Sequence, residues 1–167
     1  GVYIVLYDYT LDDENGNNHL EQGESADLIV TLNNNGNVVA NDVSATLSSS
    51  SSFINITQST ANIGNLAQNQ SGDATFSFEV DEGVPNGDTA FFTIDVVANN
   101  GIYSTSYELM FIVGKYPILI VDLDGNHNSG SEMQSIIENM DITSHYFTSF
   151  PDNLSLYEVI FVCLGVY

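Results

Sequence analysis

Apolar residues at every second position restrict the fold of this chain more than any other feature of its sequence. Segment 26–32 has an apolar side chain at each even position, and segments 43–47 and 74–80 repeat this alternation. Successive side chains of a β-strand point to opposite faces of a sheet, so each segment predicts a strand with one buried face. The predicted core residues are Leu28, Val30, Leu32, Leu47, Phe76, Phe78, Val80, Phe92 and Ile94.

Turn-forming residues separate the predicted strands at intervals of about ten residues. Segments 33–37 (NNNGN) and 81–88 (DEGVPNGD) are of this kind. Asn100-Gly101 predicts a tight β-hairpin, because both central residues of a type I′ turn need a positive φ. About seven short strands in this arrangement indicate an antiparallel β-sandwich of the immunoglobulin-like (Ig-like) type. We therefore assign residues 1–114 to one Ig-like β-sandwich, which makes the chain mainly β.

The pattern changes after Lys115, the only Lys or Arg in the chain. Residues 118–122 (ILIVD) form a continuous apolar run, which is typical of a strand buried on both faces of a parallel sheet. Ser131 and Gln134 have the spacing of a helix capping box, and segments 142–150 and 157–165 predict two later strands. We assign residues 115–167 to a truncated α/β (βαβ) segment in which the first strand pairs in parallel with a later one. The apolar side chains expected to pack in this segment are Ile118, Ile120, Val121, Met133, Ile136, Ile137 and Met140.

The charge of the chain excludes several functions. It has 22 Asp and Glu residues against one Lys, and its formal net charge is −21. Nucleic acids and anionic membrane surfaces are bound through Lys and Arg, so neither is a predicted partner. No apolar run approaches the roughly 20 residues of a membrane helix, so membrane insertion is not predicted either. Self-repulsion favours a saline or calcium-rich medium that screens or binds carboxylates, which indicates a secreted or cell-surface protein.

The densest cluster of oxygen ligands is segment 12–24 (DDENGNNHLEQGE). Counting from Asp13, oxygen-bearing side chains fall at positions 1, 3, 5 and 12 of the calcium-loop pattern D-x-[DN]-x-[DN]-G-x₅-E. Position 6 is Asn18 instead of Gly, and Asn tolerates the left-handed conformation needed there. The sequence thus predicts a calcium site, and the alternative is a solvated hairpin loop. The predicted ligands are Asp13, Asn15, Asn17, Glu21 and Glu24, with Asp12 as an additional one.

A second acidic segment, 121–132 (VDLDGNHNSGSE), directly follows the apolar run. Ligands and catalytic groups often lie at the carboxyl end of such a strand. One interpretation is a second cation site, and another is a polar βα loop. DLDGN also resembles the DxDGT motif of haloacid-dehalogenase-type phosphatases, which would make Asp122 the nucleophile and Asp124 the acid. This chain has Asn where that family has Thr, and no Lys follows residue 115. The candidate cation ligands are Asp122, Asp124, Asn126 and Asn128.

Nucleophilic catalysis finds little support in the sequence. Cys163, the only cysteine, lies in the apolar run VIFVCLG, so we predict that it is a core residue. Apolar surroundings raise a thiol pKa, which disfavours a reactive thiolate at this position. His127 and His145 are candidate bases, but nothing in the sequence brings either near the thiol. We predict no catalytic residue in this chain.

Segment 15–56 resembles an Ig-like accessory module of secreted bacterial surface proteins, including multidomain peptidases of the gingipain type. Segment 84–96 resembles the penultimate strand of that module, and the βαβ segment is similar to the flavodoxin-like segment that follows it in some of these proteins. The matched positions are turns and core residues, so the resemblance implies a fold and carries over no catalytic residue. They are Gly23, Glu24, Leu28, Val30, Leu32, Asn35, Gly36, Ala40, Val43 and Leu47.

The function expected from these features is that of a non-catalytic, calcium-stabilised spacer, stabilising or adhesive module in a secreted or cell-surface multidomain bacterial protein. Its first partners would be neighbouring domains of the same polypeptide, since the chain begins and ends within predicted strands. One alternative is an accessory fragment of a secreted hydrolase, a peptidase, whose catalytic residues lie outside this chain. Another is calcium-dependent binding of an extracellular protein or carbohydrate, although Trp, which often forms sugar platforms, is absent.

Overall fold

The chain divides into two compact units. The structure, a computed structural model, describes residues 1–165. The first unit contains residues 1–84 and 89–113, and the second contains residues 85–88 together with residue 114 onward. The short segment 85–88, which the sequence analysis assigned to the first domain, thus groups with the second unit.

The first unit is an antiparallel β-sandwich, as the sequence predicted. Its two four-stranded sheets have the orders β1-β2-β6-β4 and β5-β3-β7-β8. There are eight strands instead of about seven. They are β1 (Ile4–Asp13), β2 (Ser25–Asn34), β3 (Ala40–Ser49), β4 (Ile54–Gln58), β5 (Thr60–Leu66), β6 (Ser71–Val80), β7 (Thr89–Ala98) and β8 (Tyr103–Ile112).

Both sheets of the sandwich contribute to one apolar core. All nine predicted core residues are at most 3% exposed, so the period-two assignment of the buried faces is confirmed. Phe78 of one sheet contacts Phe92 of the other, with ring centroids 4.8 Å apart. This contact joins the two sheets at the centre of the core.

The β7–β8 hairpin forms where it was predicted, with its turn one residue earlier. Ala98 pairs with Tyr103, and the intervening Asn99 and Asn100 have φ values of 53° and 57°. The left-handed pair that a type I′ turn needs is therefore Asn99-Asn100, followed by Gly101. Asn is one of the few residues besides Gly that adopt this conformation, so the run of two Asn residues allows the turn to form one residue earlier.

One fully buried polar side chain, Asn34 at the end of β2, ties three segments of the sandwich together. The resemblance described above matched Asn35, but that side chain is exposed. Buried amide groups must be hydrogen-bonded, and this one uses both its oxygen and its nitrogen. Its partners are the N–H groups of Tyr3 and Gly36 and the carbonyl oxygens of Val38 and Leu66.

The second unit contains a three-stranded parallel sheet with the order β10-β9-β11. The first strand, β9, pairs in parallel with both later strands, which confirms the predicted pairing. Ile120 and Val121 are buried as expected, while Ile118 is only partly buried. The elements are β9 (Tyr116–Asp122), α1 (Asn128–Glu138), β10 (Ser144–Phe147), a 3₁₀ turn (Leu154–Leu156) and β11 (Tyr157–Cys163).

The start and the buried face of helix α1 differ from the prediction. The helix begins after His127, so Ser131 lies inside it and is not its cap. Carboxylates of the preceding loop accept the hydrogen bonds from the N–H groups of His127 and Gly130. Ile137 is buried, but Ile136 and Met140 are 63% and 64% exposed. Adjacent residues of a helix point about 100° apart, and this helix buries only the narrow stripe that contains Gly130 and Ile137, so Ile136 lies outside it. Met140 lies beyond the helix end.

No helix within residues 1–165 has the length and apolar character needed to cross a membrane.

Candidate metal centre

The loop between β1 and β2 (residues 13–24, the 13–24 loop) brings its two terminal carboxylates together. Asp13 is the last residue of β1, and it pairs with Ala26 near the start of β2. Glu24 immediately precedes β2. Antiparallel pairing therefore places both residues at the base of one hairpin loop, where their side chains are only 6% and 7% exposed.

Backbone N–H groups of the loop hold both carboxylates in place. Asp13 Oδ2 accepts a hydrogen bond from the N–H of His19 at 2.7 Å, and Glu24 Oε1 accepts one from the N–H of Glu21 at 2.6 Å. The loop thus folds back over Asp13. Asn18 adopts the left-handed conformation that the calcium-loop pattern requires at position 6, with φ of 58°.

The two predicted amide ligands are also turned inward onto the loop backbone. Asn15 Oδ1 accepts a hydrogen bond from the N–H of Asn17, and Asn17 Oδ1 accepts one from the N–H of His19. Glu21 is partly buried and accepts a hydrogen bond from the Asn15 side chain. Four oxygen-bearing side chains of the calcium pattern are therefore folded into the same loop, two buried and two at its surface.

Asp12, the additional ligand suggested by the sequence, does not belong to this group. It is exposed and pairs across the ladder with Asp27. Neighbouring residues of a strand point to opposite faces, so this position does not favour a shared ion for Asp12 and Asp13. Asp12 as a ligand stays a prediction.

The sandwich has no Lys or Arg to compensate the negative charge of the 13–24 loop. Asp13 Oδ1 is buried without any hydrogen-bond partner. Burial raises the pKa of Glu24 to about 6, and the negative charges of Asp13, Glu21 and Glu14 add to this rise. Residues 1–113 contain no Lys or Arg. The loop is therefore suited to a hard cation that prefers oxygen ligands.

The second acidic cluster lies in the loop after β9 (residues 122–130, the 122–130 loop). Asp122, Asp124 and His127 each place one potential ligand atom within 4.8 Å of the others. The sequence identified the two aspartates but considered His127 only as a base. Asn126, another predicted ligand, uses its side-chain oxygen to accept a hydrogen bond from the N–H of Asn128.

The carboxylates of the 122–130 loop, unlike Asp13, are satisfied by hydrogen-bond donors. Asp122 Oδ1 accepts from the N–H of Asp124, and its Oδ2 accepts from the Gly130 N–H and the Tyr146 hydroxyl. Asp124 accepts from the Ser129 hydroxyl and from the N–H groups of His127 and Asn126, and these bonds lower its pKa.

Such an arrangement favours the interpretation of the 122–130 loop as a polar βα loop that caps helix α1. Asp122 is 0% exposed, so its carboxylate is not accessible for nucleophilic attack on a phosphate ester. This burial argues against the phosphatase interpretation, which needs an exposed nucleophile.

The Cys163 thiol and the His145 imidazole of the second unit are both affected by burial. Burial raises the pKa of the Cys163 thiol, and the charges of Asp122 and Asp124 raise it further, which disfavours a reactive thiolate. The His145 ring lies 4.5 Å from the Tyr116 ring, and its Nδ1 is 2.8 Å from the hydroxyl oxygen of Tyr157.

We expect the pKa of His145 to lie below the ordinary value of about 6.5, because burial disfavours the charged imidazolium. A folded-state pKa below the unfolded value means that protonation of His145 destabilises the second unit as the pH falls through about 6.5. An NMR titration of the ring protons measures this pKa directly. A value above 6.5 would show that the partly buried ring is stabilised as the cation instead.

Exposed aromatic side chains, which the sequence did not identify, line a groove on the sandwich. Its cavity volume is about 380 Å³, and Tyr9, Phe91 and Met110 contribute to its walls together with Glu108. Tyr9 and Phe91 are 45% and 48% exposed. The outward positions of β7 gave a signal for Phe91, since the alternation that buries Phe92 exposes its neighbour.

No protein-family model and no curated protein matches the chain. Among solved structures, the C-terminal domain of Wzt has 13% identity and a TM-score of 0.45, covering 68% of this chain and 78% of that one. The CARDB domain of PF1109 from Pyrococcus furiosus, solved in complex with di-metal ions, has 15% identity and a TM-score of 0.40, covering 65% and 89%. The secreted serine protease VesC from Vibrio cholerae has 16% identity and a TM-score of 0.39, covering 83% of this chain and 26% of that one. Similarities at this level identify no family.

Proposed function

We propose that this chain is a non-catalytic Ig-like module, with part of an α/β unit, in a secreted or cell-surface multidomain bacterial protein, where it acts as a spacer or stabiliser. The observation that supports a structural role most is the use of the buried polar groups. Asn34 joins segments of the sandwich, and Asp122 and Asp124 cap a helix. Groups that are committed to holding the backbone are not free for catalysis.

The strand order supports the Ig-like part of the proposal. If β1, β2 and β6 are strands A, B and E, then β4 takes the place of D in an A-B-E-D sheet. β3, β7 and β8 then form the C-F-G part of the second sheet, with β5 added beside C. The chain differs from the constant-type arrangement by this additional edge strand.

The distribution of charge supports an extracellular medium. The sandwich segments carry acidic side chains without any Lys or Arg, so their repulsion is relieved only by ions from the solvent. Cytoplasmic partners with anionic surfaces would be repelled by the same charge. A saline exterior relieves this repulsion, because dissolved ions screen surface charges.

We expect the melting temperature of the purified chain to rise as sodium chloride is increased from about 10 mM to about 200 mM in the presence of a chelator. Over this range the Debye length shrinks from about 30 Å to below 10 Å, so repulsion between exposed carboxylates is screened. Thermal melts followed by circular dichroism measure the change. A melting temperature that is independent of salt would contradict the proposed adaptation to a saline exterior.

The alternative, a hydrolase, is tested with the same protein. We expect no turnover of chromogenic peptide, ester or phosphate-ester substrates above the blank. Turnover that is abolished in Asp124→Asn or in Cys163→Ser would contradict the non-catalytic role.

A further inference from the structure

The two acidic loops differ in one decisive respect, which is the state of their buried oxygens. In the 122–130 loop, the oxygens of Asp122 and Asp124 accept hydrogen bonds from N–H and hydroxyl donors. In the 13–24 loop, Asp13 is only 6% exposed, and its Oδ1 has no hydrogen-bond partner. The 13–24 loop alone therefore combines an acidic cluster with an unsatisfied buried acceptor.

An unpartnered carboxylate oxygen is costly in a protein interior, because burial removes its water without replacing it. The other oxygen of the same carboxylate, Oδ2, is bound to the N–H of His19, so Asp13 cannot turn out of the loop without breaking that bond. The second carboxylate, Glu24, is 7% exposed, and it lies two residues before Ala26, which pairs with Asp13 across the β1–β2 ladder.

A bound water would satisfy the acceptor but would leave the charge uncompensated. The sandwich has no Lys or Arg, and its amino terminus is engaged with Asn37 far from the loop in sequence. A cation bound by Asp13 and Glu24 would give the unpartnered Asp13 Oδ1 a ligand and compensate the charge of both buried carboxylates.

We propose that the 13–24 loop binds one calcium ion through the carboxylates of Asp13 and Glu24, assisted by the side-chain oxygens of Asn15 and Asn17. This inference goes beyond the proposed spacer role and holds equally if the chain belongs to a hydrolase. The ion would join the end of β1 to the start of β2 and so fix the edge strand of its sheet.

Calcium is the divalent cation that fits this donor set. The four proposed donors are oxygens and have the spacing of the 12-residue calcium loop, and left-handed residues at Gly16 and Asn18 let the loop wind tightly. Magnesium demands near-ideal octahedral geometry and keeps several waters, so a loop that supplies several protein oxygens favours calcium over magnesium. Zinc prefers nitrogen and sulfur ligands, whereas positions 1, 3, 5 and 12 of this loop offer only side-chain oxygens.

The test compares thermal melts of the whole chain in chelator, calcium, magnesium and sodium chloride at matched ionic strength. For the wild type we expect calcium to raise the melting temperature by about 5–10 °C beyond matched salt at a hundredfold excess over Kd, with saturation. Magnesium should produce less than half of this shift.

Asp13→Asn gives the sharpest comparison, because it keeps an acceptor for the His19 N–H and removes only the charge. In chelator we expect Asp13→Asn to melt at the same temperature as the wild type or higher, since one buried charge is gone. In calcium we expect it to melt lower than the wild type. Glu24→Gln should also lose the calcium response, and Asp95→Asn, which removes an exposed charge on β7, should keep it.

A purely structural role for Asp13 would not produce this reversal of order. If calcium adds nothing beyond matched salt, or if Asp13→Asn and Glu24→Gln both keep the full response, the calcium site is refuted while the proposed module function stands. If the calcium response is present but sodium chloride has no effect in chelator, the site is supported and the proposed adaptation to a saline exterior fails.

Discussion

Replacing Phe78 by Ala is expected to lower the free energy of unfolding of the sandwich by about 3–5 kcal/mol. Phe78 is 1% exposed and lies against Phe92 of the opposite sheet, so its removal leaves a cavity between the two layers. The surrounding side chains and strands relax only partly into this cavity, because each strand is held within its own hydrogen-bonded sheet. Chemical denaturation in urea, at constant salt and calcium, measures the change.

Phe91→Ala is the matched control for this prediction. Phe91 neighbours Phe92 in sequence but points outward and is 48% exposed. Its replacement should change the free energy of unfolding by less than about 1 kcal/mol. Equal losses for the two variants would mean that the assigned inner and outer faces of the sheets are wrong.

Replacing Asn34 by Ala is expected to cost about 2–4 kcal/mol, which makes this polar residue as important as a core residue. The change leaves two N–H groups and two carbonyl oxygens without their partner, and each buried group left unsatisfied costs about 1–3 kcal/mol, reduced where water can enter. Urea denaturation of the purified variant gives the value.

The adjacent Asn35→Ala variant controls for composition and for the local turn sequence. The Asn35 side chain is exposed, so its loss should stay within about 0.5 kcal/mol. Hydrogen exchange should also show faster opening of residues 1–4 in Asn34→Ala, because the hydrogen bond from the Tyr3 N–H to the Asn34 side chain is lost. An Asn34→Ala variant as stable as the wild type would contradict the role of this network.

The buried faces of the sandwich could be predicted because the period of a strand is two and one face must be apolar. Leu28, Val30 and Leu32 show that the even-numbered residues of β2 face the core, which also places residue 34 inside. The importance of Asn34 could therefore be predicted from the same pattern. The resemblance used above favoured Asn35 instead. Residues 33–35 are all Asn, so residue type alone does not show which of them is buried. The alternation of inward and outward positions along β2 does show it.

Two strands, β4 and β5, were not predicted because they lie at sheet edges. Ile54, Ile56 and Ile63 in these strands are only partly buried, and polar residues surround them, so no clear alternation appears. The helix face was missed for a related reason. A short helix against a three-stranded sheet buries a narrow stripe, and the sequence offers more apolar residues than that stripe accepts.

The candidate metal centre was predictable in part. Spacing alone identified Asp13 and Glu24, because a hairpin necessarily brings the two ends of its loop together. Spacing also identified Asp122 and Asp124, but whether a carboxylate already has donors depends on residues distant in sequence, such as Tyr146. The structure thus separates an unsatisfied acidic loop from a satisfied one, which the sequence could not do.

Calorimetric titration of the calcium-free chain with calcium tests the central claim most directly. At about 100 mM sodium chloride, where long-range attraction to the net charge is largely screened, only a specific site gives a saturable heat. We expect one calcium ion per chain for the wild type and for Asp95→Asn, and no saturable binding for Asp13→Asn. Absence of binding to the wild type, or unchanged affinity and stoichiometry in Asp13→Asn, would contradict a calcium site in the 13–24 loop.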